Sequence, residues 1–245
     1  MQGVIRYFVA LLILILPNSV NAAAISKPNA YLHVASIYEG RLFIKLLNAR
    51  ADTYIGQSDY RSGAYALSAG GLEFIRPFEV KAISNGTIKG RSASPIFYRQ
   101  SSGRKSRAVD YRRLPPSSVG DPIAQLLRLS LAGPTPCIGA MTVFDGEQKY
   151  RITFTRQRPA ALAKSLNGQG LTTPQACALG FSPISGFGGA KASSKGALRG
   201  NSSATFAWSS KARLWILTDI EVGTVVGPAH ISLTHLSISS TNALP

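Results

Sequence analysis

Three observations predict a mainly β protein with an antiparallel sheet and one packed helix. Hydrophobic residues make up 45% of the chain and charged residues only 16%, while 23 Gly and 14 Pro punctuate it, a mixture suited to many strands joined by tight turns. Apolar and polar residues alternate with a period of two through several segments, as in half-buried strands. One stretch, Asp121 to Leu131, combines a helix start signal with apolar residues at helical spacing. A chain of 245 residues accommodates one large all-β domain or two small ones. Residues 23–245 are assigned here to a single β-rich domain.

The first residues read as an export signal. Arg6 precedes the uninterrupted apolar run Phe8 to Leu16, Pro17 and Asn18 break it, and Val20-Asn21-Ala22 supplies the small residues of a cleavage site. A membrane span needs about 20 apolar residues, so the run is too short to be an anchor. Cleavage is expected near Ala22 or Ala24. Residues 1–22 are then a signal peptide, and the mature protein is periplasmic with no transmembrane anchor.

Export changes how the two cysteines are read. An oxidising compartment lets Cys137 and Cys177 pair, with two buried free thiols as the alternative. Neither has a neighbouring His, so zinc is not supported, and no metal or cofactor is expected. The formal charge of +16 takes its meaning from the same compartment. Outside the cytosol the available polyanions are lipid head groups, lipopolysaccharide and anionic wall polymers, not nucleic acid. Solubility charge without a specific partner is the other reading.

Ala30 to Ile37 and Arg41 to Asn48 read as strands separated by a turn at Tyr38-Glu39-Gly40, followed by strands over Ala49 to Ser58 and Tyr60 to Ser68. Leu72 to Ile83 reads as a strand whose Pro77 confines that point to an edge or bulge. Asn85-Gly86 predicts a two-residue hairpin turn that sets Ile83 opposite Ile88. Pro95 to Gln100 and Ser106 to Arg112 form the next pair across the turn SSGR. Here Arg99, Arg104, Lys105, Arg107, Arg112 and Arg113 gather around Tyr98 and Tyr111. This cluster is the candidate for polyanion contact, against an ordinary solvated strand face.

Leu114 to Gly120 breaks the chain before the helix. Asp121 can cap the orphan N–H groups, and Pro122 fits the first helical position because no hydrogen bond is lost there. Ile123, Leu126, Leu127, Ser130 and Leu131 form a stripe, and Gly133-Pro134 ends it. A two-residue turn at Asp145-Gly146 would pair Val143 with Gln148 and Met141 with Tyr150. Met141, Val143, Tyr150, Ile152 and Phe154 then share one face, and the same parity turns Cys137 inward. Strands are expected over Thr172 to Ser182, Ala204 to Ser209, Arg213 to Ile220 and Val225 to Ile238, with a flexible Gly/Ser/Lys-rich loop at about 186–203. Gly188-Gly189 lacks the spacing of a dinucleotide fingerprint.

Catalytic signals are sparse. His33, His230 and His235 are the neutral-pH acid–base candidates. His230 and His235 are expected on opposite strand faces, and Asp219 with Glu221 is the nearest approach to a carboxylate pair. No catalytic residue is assigned.

The order of motifs resembles a known family. Asp121-Pro122-Ile123 with its leucines, then Cys137, then Val143-Phe144-Asp145-Gly146-Glu147-Gln148-Lys149-Tyr150, is similar to the central signature of domain-of-unknown-function family 3108, exported bacterial proteins. Cys177 with Pro183 to Phe187 resembles its closing pattern, and Gly71 to Pro77 and Gly86 to Tyr98 fit more loosely. The resemblance implies a strongly curved antiparallel sheet, a β-spiral or open half-barrel like the lipoprotein-carrier folds, wrapped around one central helix. It also implies a disulfide-bearing envelope protein and transfers no catalytic residue.

The functional expectation is a non-catalytic periplasmic protein that binds a lipid, lipoprotein or anionic envelope polymer in envelope maintenance. The rivals are an envelope hydrolase using His230 or His235 with Asp219, and a structural partner of another envelope protein. An open apolar cavity favours the carrier. A His and a carboxylate in a polar cleft favour the enzyme, and a closed core with an exposed apolar patch favours the partner.

Overall fold

The computed structural model describes residues 30–75, 77–114, 119–137, 139–157, 161–187, 202–224 and 227–242. The signal peptide and most of the 186–203 loop predicted above lie outside the described residues. Thirteen strands form one sheet, in the order β6-β5-β4-β3-β2-β1-β13-β12-β11-β10-β9-β8-β7. In chain order they are β1 (Tyr31–Leu42), β2 (Ile44–Ile55), β3 (Asp59–Ser68), β4 (Glu79–Lys89), β5 (Ser92–Ser102), β6 (Lys105–Asp110), β7 (Val119–Gly120), β8 (Gly139–Phe144), β9 (Lys149–Arg156), β10 (Leu171–Ser185), β11 (Ser202–Ser209), β12 (Leu214–Thr224) and β13 (Gly227–Thr241). Every pairing is antiparallel except β7 with β8. Among the described residues two α-helices interrupt the strands, the short α1 (Gly71–Ile75) and α2 (Pro122–Leu131).

The sheet is bent and open. Laid flat, thirteen strands would span roughly 60 Å at the usual spacing. Yet α2 touches β4 and β5 near one edge, β7 and β8 at the other, and β12 between them, which a flat sheet cannot provide to a helix about 10 Å across. The two edges also approach each other. The Tyr111 hydroxyl, just after β6, donates to the Phe144 carbonyl of β8, and Arg107 of β6 pairs with Glu147 at 2.5 Å. No strand pairing joins β6 to β7, so the ring is not closed.

Helix α2 forms where the sequence places it. The Asp121 carboxylate accepts the Ala124 N–H at 2.8 Å, Pro122 occupies the first turn, and Ala132 caps the other end. Its environment differs from the predicted stripe, since every residue of α2 except Arg128 is buried. Burial on nearly every side packs α2 into the core instead of leaving one face to solvent. Its side chains join a core with Tyr38, Leu47, Ile55, Phe206 and Ile231. Leu127 is fully buried, so Leu127→Ala is expected to lower unfolding free energy by about 3 kcal/mol, readable as a shifted urea midpoint.

Local turn chemistry differs from the sequence reading at several points. Asn85-Gly86 makes no hairpin and lies inside β4 at a register shift. A Cβ at residue 86 would sit 2.1 Å from the Ser94 carbonyl oxygen and 2.7 Å from the Tyr60 ring, so close strand approach, not turn geometry, demands that glycine. The turn falls at Gly90-Arg91, with Lys89 opposite Ser92 and Gly90 at positive φ. Tyr38-Glu39-Gly40 continues β1, because Gly40 leaves room for the Leu47 side chain. The reversal comes instead at Phe43, which takes φ 64° without being glycine. The expected strands Arg41 to Asn48 and Ala49 to Ser58 are mostly one strand, β2. The first part of Leu72 to Ile83 is α1 rather than strand.

The Asp145 hairpin keeps its predicted faces but not its register. Val143 pairs with Tyr150 and Met141 with Ile152, two residues from the expected pairing, because the loop holds four residues. The Asp145 carboxylate accepts the N–H groups of Glu147 and Gln148 at 3.0 and 2.8 Å, the self-capping that favours the longer loop. A shift of two preserves side-chain parity. Met141, Val143, Tyr150, Ile152 and Phe154 are accordingly all buried.

Candidate functional site

Cys137 and Cys177 form a disulfide, with Cα atoms 5.5 Å apart. It ties the segment before β8 to β10, and Cys177 is fully buried. A disulfide fits an exported protein. No helix among the described residues is long and apolar enough to cross a membrane.

The predicted basic cluster is divided by the structure. Arg112 and Arg113 bind Asp110, at 2.8 and 3.5 Å, and these contacts, the Arg112 hydrogen bonds first, pull the Asp110 carboxyl down to about 2. Arg107 binds Asp145 and Glu147. Tyr98 is buried and donates to Gln100 at 2.9 Å, so it offers no stacking platform. Arg99 lies over the Phe97 ring, and Arg104 and Lys105 are exposed in the β5–β6 turn.

The histidines do not assemble a hydrolytic centre. His230 and His235 share the outer face, contrary to the simple alternation. A bulge between Leu233 and His235 shifts parity, so residues 231 and 233 are buried before it and 236 and 238 after it. His230 Nδ1 lies 3.8 Å from Asp219, while Ser232 donates to Asp219 at 2.5 Å. The carboxylate therefore stands between hydroxyl and imidazole, whereas nucleophile activation needs the imidazole in the middle. Burial raises the Asp219 carboxyl above its ordinary value despite the Ser232 bond. The sequence reading missed the closer pair, His33 Nε2 to Asp52 at 3.0 Å, which the β1–β2 register brings together. Arg50 also occupies that carboxylate at 2.8 Å. Burial opposes ionisation of Asp52, but the Arg50 and His33 hydrogen bonds leave its carboxyl below the usual range. The His33 ring stacks flat on Tyr54, on the sheet's outer face. Among the described residues no group of His, Cys, Asp and Glu is arranged to hold a metal.

Leu126, Phe154, Phe181, Phe206, Leu217 and Ile220 line an apolar cavity of about 30 Å³. Pockets that take small-molecule ligands run to about 300–1,000 Å³. This one is a packing gap with room for about two waters. Asp121 is fully buried and also accepts from Ser84 at 2.8 Å, itself hydrogen-bonded to Tyr60 at 2.9 Å. Burial pushes the Asp121 carboxyl up to about 7, against the hydrogen bonds that favour its charge.

A second cavity, about 50 Å³, opens where α2 ends and is lined by Arg91, Leu131, Ala132, Gly133, Trp208 and Arg213. The antiparallel registers put the turns β2–β3, β4–β5 and β11–β12 at one end of the sheet. That end carries Lys89, Arg91, Lys211 and Arg213, with Asp59 as the carboxylate in the same set of turns. The opposite end holds Glu39, Glu73, Glu79, Asp145 and Glu147 among its cations. Arg213 adopts φ 57°, a left-handed conformation that costs a non-glycine residue about 1 kcal/mol. Sequence reading missed the convergence because Arg91 and Arg213 lie far apart in the chain and meet only through the pairing order. Their one local signal was a cation in each of two tight turns.

Fold and site together define a class: an open, mainly β protein with a disulfide and a group of cations on the turns at one end of its sheet. No family model matches the chain and no curated protein matches it. Among solved structures it is similar to a β-barrel-like protein of domain of unknown function DUF1849 from Brucella abortus, at 7% identity and a TM-score of 0.43, covering 91% of this chain and 99% of that one.

Proposed function

We propose that this is a non-catalytic periplasmic protein of the cell envelope that binds an anionic envelope component through its exterior. In this reading the bent sheet wraps α2 as an internal plug, and the interior carries no lipid. The observation that supports it best is the group of cations Lys89, Arg91, Lys211 and Arg213 on the turns of one end, with Asp59 as the carboxylate in those turns. A basic face of this kind attracts anionic head groups. The cavity of about 30 Å³ argues against carriage of an acyl chain. The disulfide supports the exported setting.

Sedimentation with vesicles tests the reading. Binding to phosphatidylglycerol-containing vesicles is expected at low salt, with none to phosphatidylcholine alone, and it should weaken as salt rises. Equal partition to both vesicles, or to neither, would remove the proposal.

A second reading has its own observation. Phe43 and Phe74 are 83% and 88% exposed, and Ile44 lies against α1, all at the end opposite the basic turns. Such exposed apolar groups suit a protein partner, whose binding would persist at high salt.

A further inference from the structure

We infer that the cavity at the end of α2 is a specific site for a phosphate-class oxyanion, clamped between Arg91 and Arg213. The inference rests on the surface-binding reading above and sharpens it to one locus. Arg91 and Arg213 line a single cavity of about 50 Å³ with Trp208 and the helix end, and no carboxylate lines it. That volume is several times what one water needs and suits a small oxyanion. Arg91 is drawn close to the backbone there, since a Cβ on Gly133 would lie 2.5 Å from its Nη1.

The C-terminal end of α2 favours cations through its dipole, but no hydrogen bond among the described residues ties either arginine to its carbonyls. The carbonyl of Leu129 is taken by the Ala132 N–H, and that of Gly133 by the Trp215 indole N–H at 3.0 Å. Neither Arg91 nor Arg213 has a hydrogen-bond or ion-pair partner among the described residues. Elsewhere on this protein Arg50, Arg107 and Arg112 each sit on a carboxylate. Two unneutralised arginines facing one small space repel each other, and an anion between them removes that repulsion. Each planar guanidinium can donate two parallel N–H bonds to phosphate oxygens, which makes arginine the residue for such a clamp.

The left-handed backbone at Arg213 supplies a clean variant. Glycine adopts that conformation without strain, so Arg213→Gly removes the cation without harming the fold. The experiment compares wild type, Arg213→Gly, Arg91→Ala and, as a control of equal charge loss at the other end, Arg104→Ala. Each is titrated with inorganic phosphate by calorimetry and with phosphatidylcholine vesicles containing phosphatidic acid.

Arg91→Ala and Arg213→Gly are expected to weaken vesicle binding roughly ten-fold each, with the control variant changed far less and thermal midpoints unchanged or raised in Arg213→Gly. Saturable binding of inorganic phosphate that the same two variants abolish identifies a free oxyanion as a sufficient ligand. Loss confined to the vesicle arm identifies a lipid-borne phosphate. Wild-type vesicle binding that falls equally in the control and the site variants overturns the clamp and leaves the surface reading standing. No wild-type binding in either arm overturns both.

Discussion

Between pH 8 and pH 5 the protein is expected to gain about 2–3 kcal/mol of stability from one buried carboxyl. Asp121 is fully buried, and its carboxyl is raised to about 7 from about 3.9 in an unfolded chain. The sign follows from proton binding: the native state holds the proton more tightly, so the contribution is complete below about pH 4 and is lost as pH rises through 7. Asp219, also raised by burial, acts in the same direction. Asp110, held at about 2, has the opposite sign but acts only below about pH 4, outside this window. Asp121→Asn keeps an acceptor for the Ala124 N–H and imitates the neutral carboxyl. Its stability should therefore be nearly flat between pH 5 and 8 and exceed that of the parent at pH 8. Urea midpoints for both proteins across that range check the prediction, and a parent that weakens towards pH 5 would contradict it.

Reduction of the disulfide should cost more. Cys137 and Cys177 are 40 residues apart in sequence, and the chain-entropy estimate for a loop of that length is ~4 kcal/mol. The bond joins the approach to β8 with β10, so its loss frees the side of the sheet that packs on α2 near Leu126 and Phe154. Cys137→Ser combined with Cys177→Ser should lower the denaturant midpoint and raise the slope, because the unfolded chain without its cross-link exposes more surface. Coincident midpoints for the oxidised and double-serine proteins would show that the native sheet does not need this link.

The legible parts of the fold were those decided locally. Asp121-Pro122 specifies a helix start whatever surrounds it, and the alternation from Met141 to Phe154 fixes which side chains face the core. Register was less legible, because the Asp145 side chain rather than the Asp-Gly dipeptide set the loop length. Gly86 misled for a physical reason: a glycine serves close strand approach as well as a turn, and only the partner strand distinguishes the two. The bulge before His235 is likewise invisible in a pattern that assumes strict alternation. The Arg91 and Arg213 pairing depends on the order of strands across the whole sheet, so no window of sequence contains it.

Hydrogen–deuterium exchange with and without phosphatidylglycerol-containing vesicles tests the central claim most directly, since it shows which surface the envelope component covers. Added protection is predicted over the turns at 89–91 and 211–213, with the amides of Phe154, Phe181 and Phe206 unchanged. Protection confined to those interior strands, or to Phe43 and α1 at the other end, would contradict the account.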